Sequence, residues 1–88
     1  MESVLYGLGD DMTIKEATNE FIAELSRATI KHPHWPDDKI HAVAIMNEEA
    51  GEAIRAVLDH VYAGKSIDEV KNELIQTGAM CLRCLINM

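Results

Sequence analysis

In the segment Met46–Ile54, MNEEAGEAI, three glutamates (Glu48, Glu49 and Glu52) fall within five residues, with Arg55 the one base close by. Apolar residues run through and beyond this segment at helical spacing. Val43, Met46, Ala50, Ile54, Val57 and Val61 form one stripe, the expected main core face of an amphipathic helix. Glu48, Glu49, Glu52, Asp59 and His41 gather roughly opposite it. Ile45 and Ala56 lie among those acids, which a face meant only for water would not carry, so another element is expected to cover this side.

The flanks set the limits of this helix. Upstream, HPHWPDD (His32 to Asp38) breaks helix, because each proline disfavours the helical conformation in the residue before it. Asp37 or Asp38 can then cap a helix running to about Ala63. Gly64 ends it, and Lys65 completes a short turn. Ser66-Ile-Asp-Glu69 has capping-box spacing and opens a further helix to near the C-terminus. Thr13-Ile-Lys-Glu16 is another such box, and Ile14, Ala17, Phe21, Ile22, Leu25 and Ala28 carry a first helix to about Ile30. No segment alternates as a strand does. The expected fold is all-α, with residues 13–88 as a single helical domain behind an N-terminal extension (1–12). A hairpin of the second and third helices should have the first packed across it.

Composition narrows the partners. The net charge of −7 argues against a nucleic-acid backbone, whose binding draws on clustered Lys and Arg. It fits a protein that concentrates carboxylates around a cation, and equally an ordinary acidic protein. No apolar run approaches the ~20 residues that cross a bilayer, and MESVLYGLGDD lacks the pattern of a signal peptide. A cytoplasmic location with Cys81 and Cys84 as thiols is expected.

The third helix partly echoes the second. Ile67, Val70, Leu74, Cys81 and Leu85 form its apolar side, and Glu69, Glu73, Gln76, Met80 and Arg83 the other. Glu49/Glu52 and Glu73/Gln76 are both i, i+3 pairs, so each projects from adjacent turns. Two antiparallel helices could bring the four groups around one hard divalent ion, which takes oxygen ligands.

Glu48-Glu49-Ala50-Gly51-Glu52 resembles the EExxE element of the MazG-like, all-α nucleoside triphosphate pyrophosphohydrolases, and Glu73-Leu-Ile-Gln76 occupies the place of their second element, ExxD. The resemblance covers about Trp35 to Leu85. It implies a Mg²⁺-dependent enzyme (Mn²⁺ an alternative) that cleaves an NTP or dNTP between the α- and β-phosphates, releasing pyrophosphate and cleaning the nucleotide pool. By it Glu49, Glu52 and Glu73 are metal ligands, and Glu48 is a further ligand or orients the attacking water. Gln76 departs from the pattern: its amide oxygen can ligate a hard cation but brings no charge. A non-catalytic nucleotide- or metal-binding regulator of the same fold is the alternative, and a helical interaction module without a ligand is a third reading. Related enzymes complete four-helix bundles by pairing subunits, so a homodimer or a tetramer of dimers is expected.

Trp35, the single tryptophan, lies between two prolines, where related enzymes contact the base; the competing reading folds its ring back on the helix ends. Lys31, Lys39, Lys71 and Arg83 are the available phosphate-binding bases. Arg83 shares the face of Glu73 and Gln76, where a salt bridge with Glu73 or Glu69 competes with a phosphate contact. A Cys₂His₂ zinc site from Cys81, Cys84, His32 and His34 is disfavoured, because this CxxC lies inside a helix rather than on a knuckle. His41 and His60 read as surface or interface residues.

Overall fold

The computed structural model describes residues 11–88; all of the expected N-terminal extension except Asp11 and Met12 lies outside them. Three helices follow in order: α1 (Ile14–Lys31), α2 (Lys39–Ala63) and α3 (Ile67–Ile86). Among the described residues no strand forms. The all-α expectation holds, and every helix starts or stops where local chemistry says it should.

Thr13 closes the expected capping box. The Glu16 N–H donates to Thr13 Oγ1 at 3.1 Å, and the Thr13 N–H donates to Glu16 Oε1 at 2.8 Å. Removing such a cap costs about 1 kcal/mol. Asp38, not Asp37, caps α2, its Oδ1 accepting from the Ile40 and His41 N–H groups at 2.8 and 3.2 Å. Gly64 terminates α2 in the left-handed region at φ 69°, where a side chain would be strained. The Lys65 N–H then donates to the Asp59 carbonyl, and His60 Nδ1 lies 2.7 Å from the Lys65 carbonyl. Ser66 caps α3 through the Asp68 N–H at 3.0 Å. This cap is one-sided, without the reciprocal Glu69 arm of a full box.

α3 is the central element. It packs against both α2 and α1, while the backbones of α1 and α2 stand more than 8 Å apart. The first helix thus packs on the α2–α3 hairpin through α3, leaving a gap beside α2. Gly78 makes the α1 contact possible. A Cβ there would fall 2.5–2.7 Å from three atoms of the Phe21 ring, so only a bare α-carbon lets the ring seat on α3. Overpacking of this kind costs about 1–3 kcal/mol.

The buried faces differ from those expected. The core consists of Ala42 and Ala53 from α2, with Val70, Ile75, Ala79, Met80 and Cys84 from α3. In the expected α2 core stripe, Val43, Ile54 and Val61 are exposed, and Met46, Ala50 and Val57 are half-buried. On α3, Leu74, Cys81 and Leu85 are exposed while Met80 and Arg83 are buried; on α1, Ile14 and Ile22 are exposed. The physical reason is that helices approach closest where side chains are small, and Ala42 and Ala53 offer that surface to α3. The acids of α2 share this side, so Ile45 and Ala56 are half-buried as their composition required. The radius of gyration, 13.6 Å, exceeds the roughly 12 Å of a compact domain of this length. No helix of the described residues is long and apolar enough to cross a membrane.

Candidate metal centre

Glu49 and Glu52 stand one turn apart on α2, and Glu73 stands on the facing side of α3. One carboxylate oxygen from each lies within 4.8 Å of the others. The Glu49/Glu52 pair is thus brought face to face with Glu73. Glu49 and Glu73 are half-buried and Glu52 is exposed. Burial, followed by the neighbouring carboxylates of Glu52, Glu24 and Glu48, raises the Glu49 pKa above its ordinary value. Burial, then Glu52, Glu49 and Glu69, does the same for Glu73. Both causes disfavour a negative charge, and both would be offset by a cation.

Glu73 Oε1 is buried without a hydrogen-bond partner. An orphaned carboxylate oxygen costs free energy unless something satisfies it. The donor set is all oxygen, which suits a hard divalent ion such as Mg²⁺. By donor type, convergence and unmet charge, these residues fit a metal. Glu48 is exposed on the outer side of the cluster, in a shallow groove shared with Glu49, Gly51, Glu52 and Arg55.

A cleft of about 660 Å³ opens beside the acids, within the range typical of small-molecule sites. Its walls follow from the fold: α1 and α2 stand apart, and α3 forms the floor. Ile45 and Glu49 line it from α2, and Gln76, Met80 and Arg83 from α3. Glu24, Arg27, Ala28 and Lys31 line it from α1, and His32, His34 and Trp35 come from the connecting segment. Gln76 therefore sits where the acid cluster meets the cleft.

The expected nucleotide contacts divide. Trp35 is half-buried and lines the cleft. Arg83 lines it too, but its guanidinium addresses neither Glu69 nor Glu73. It donates from Nη2 to the His32 carbonyl at 2.6 Å and from Nη1 to the Ala28 carbonyl at 3.4 Å, and lies 4.7 Å from the Trp35 ring centroid. The Trp35 ring packs on Arg83 beside the end of α1 and borders the cleft. Lys39 is exposed in the first turn of α2, away from the cleft lining. Arg27 and Lys31 supply basic groups instead. Arg27 is held by an ion pair with Glu24 at 2.9 Å. Glu24 and Arg27 escaped the sequence reading; Glu24, Arg27 and Lys31 follow one another at i, i+3, i+7 on one edge of α1, the signal that could have found them.

The thiols stand elsewhere. Cys84 is buried and donates to the Ala42 carbonyl at 3.5 Å; burial, then the neighbouring Cys81, pushes its pKa up. Cys81 is exposed, and both are free. Among the described residues, the group of potential ligands that converges is Glu49, Glu52 and Glu73.

Compared with protein families, curated proteins and solved structures, the chain matches none.

Proposed function

We propose that this protein is a MazG-like nucleoside triphosphate pyrophosphohydrolase, acting on an NTP or dNTP in a cytoplasmic nucleotide pool. The observation that carries the reading is the convergence of Glu49, Glu52 and Glu73 from two helices at the edge of a cleft that also holds Trp35, Arg27 and Lys31. Carboxylates alone would repel a triphosphate. Carboxylates that hold a divalent cation attract one.

In this reading Glu49, Glu52 and Glu73 hold Mg²⁺ (or Mn²⁺), with the Gln76 amide oxygen as a neutral fourth donor. The ion supplies Lewis acidity and charge neutralisation at the phosphates. Arg27 and Lys31 meet phosphate oxygens from the α1 wall, and Trp35 offers its ring to the base. Glu48 is the carboxylate left free to orient the attacking water and accept its proton. Water adds at the α-phosphorus, the bond to the α,β-bridging oxygen breaks, and a nucleoside monophosphate and pyrophosphate leave. Lys39 has no part in this arrangement.

A second copy covers the apolar side. Val43, Ile54, Leu58 and Val61 of α2, with Leu74 and Leu85 of α3, are exposed in the isolated subunit. Pairing of these faces completes a four-helix bundle in a homodimer, or in a tetramer of dimers.

One observation favours a second reading. With glutamine at position 76, the cluster carries three carboxylates where the ExxD element would give four. A non-catalytic nucleotide- or metal-binding regulator would retain the cleft and lack turnover. A screen of the common NTPs and dNTPs for Mg²⁺-dependent pyrophosphate release separates the two. Release that disappears in Glu49→Gln supports the enzyme. Nucleotide-induced thermal stabilisation with no pyrophosphate from any substrate supports the regulator.

A further inference from the structure

Arg83 is the one buried charged residue of the described core, at 4 % exposure. A buried guanidinium is normally paired with a carboxylate. Here its partners are two main-chain carbonyls, Ala28 and His32, and the face of Trp35. Those carbonyls close the C-terminal end of α1, where helical C=O groups lack intrahelical partners and the macrodipole favours a cation. Ala28 O already accepts the His32 N–H at 2.8 Å, so Arg83 reinforces the last turn from outside. One side chain from α3 thus ties down the end of α1, the His32–Trp35 segment and the only indole in the chain.

α3 also carries the acid end of the cleft. Glu73, Gln76, Met80 and Arg83 follow one another at helical spacing. Ten residues from Glu73 to Arg83 correspond to about 15 Å of rigid helix. An aromatic base, a sugar and a phosphate chain can bridge such a distance, with the base at Trp35 and the phosphates at the carboxylates.

We propose that Arg83 is a positioning residue for ligand recognition: it holds Trp35 as a fixed aromatic wall of the cleft at a set distance from the acids, where the ring can meet a planar base. The inference rests on the nucleotide reading of the cleft. It removes Arg83 from the phosphate contacts and leaves them to Arg27 and Lys31. Lysine cannot replace it, because an ammonium has no planar fork to stack on the ring while donating to two carbonyls.

Because Trp35 is the sole tryptophan, its fluorescence reports on this unit alone. In the ligand-free full chain, Arg83→Lys should increase acrylamide quenching of Trp35. In steady-state hydrolysis, Arg83→Lys should raise KM for the nucleotide about tenfold or more and change kcat by less than about threefold, the pattern of lost uniform binding. The Mg²⁺-induced rise in melting temperature should survive, since the carboxylates are untouched. Trp35→Ala should reproduce the KM effect, and adding Arg83→Lys to it should make nothing worse. If Arg83→Lys does not fold, Trp35→Phe and Trp35→Ala give the same test with Arg83 intact: KM near wild type for Phe and raised for Ala. Equal KM values in those two variants overturn the proposal. So does unchanged quenching with unchanged KM in Arg83→Lys, or a fall in kcat at constant KM. Quenching that rises in Arg83→Lys, in a protein whose wild type binds no nucleotide, overturns the ligand-recognition role and the enzyme reading together, while sustaining the Arg83–Trp35 tie.

Discussion

Glu49 of α2 and Glu73 of α3 bring carboxylate oxygens within 4.8 Å of each other, and of Glu52, across a helix–helix contact that half-buries both. Ala42 and Ala53, both buried, are the small residues of α2 in the same core. The fold therefore holds like charges together at a partly buried site. Such an arrangement is relieved by a proton or by a cation, and each form of relief can be measured.

Protonation gives a pH signature. The folded-state pKa values of Glu49 and Glu73 are raised, so at mildly acidic pH the native state binds more protons than the unfolded chain. The stabilisation these two groups give is complete below the unfolded glutamate value of about 4.3 and is lost as pH rises through the folded values. Metal-free protein should therefore gain melting temperature when moved from neutral pH toward about 5. Glu49→Gln with Glu73→Gln should flatten that dependence. A melting temperature that instead falls steadily over this interval, equally in wild type and variant, would show that the cluster is not strained.

Association follows from the exposed stripe. The chain should be a dimer or larger at micromolar concentration by light scattering. Ile54→Glu with Leu58→Glu, placed on the apolar face of α2 and away from the acids, should yield monomer and lower the melting temperature. Wild-type protein with a monomer mass throughout the micromolar range would leave those side chains without a covering copy.

The helix limits were legible because they depend on neighbours in sequence. Thr13 with Glu16, Asp38, Gly64 and Ser66 each act within a few residues. The acid cluster was legible for the same reason: i, i+3 spacing places Glu49 beside Glu52, and antiparallel pairing supplies Glu73. The buried faces were not. A stripe such as Val43–Ile54–Val61 says that a surface is apolar, and not whether the chain itself or another copy covers it. The hydrogen-bond partners of Arg83 were not legible either, because Ala28 and His32 lie more than fifty residues away and meet it through the α1–α3 crossing. Glu24 and Arg27 reach the cleft through that same crossing.

Gln76 tests the alignment with the family element. It lines the cleft with Glu49 and stands one turn from Glu73. Gln76→Asp should lower the stability of the metal-free protein by adding a fourth like charge, and should raise Mg²⁺ affinity. A tenfold gain, about 1.4 kcal/mol, is a reasonable size for one added carboxylate. Pyrophosphate release should rise with it where metal occupancy limits the rate. Unchanged affinity in a titration would place Gln76 outside the ligand set.

The most direct test of the central claim is a thermal melt of the wild type with and without millimolar Mg²⁺ or Mn²⁺, beside Glu49→Gln combined with Glu52→Gln. A metal at a hundred times its Kd stabilises the folded state by about 2.7 kcal/mol, a shift on the order of 10 °C for a domain this small. Such a rise is expected in the wild type and none in the double variant, which should melt higher than wild type when no metal is present. A wild-type melting temperature unmoved by either ion would contradict the claim.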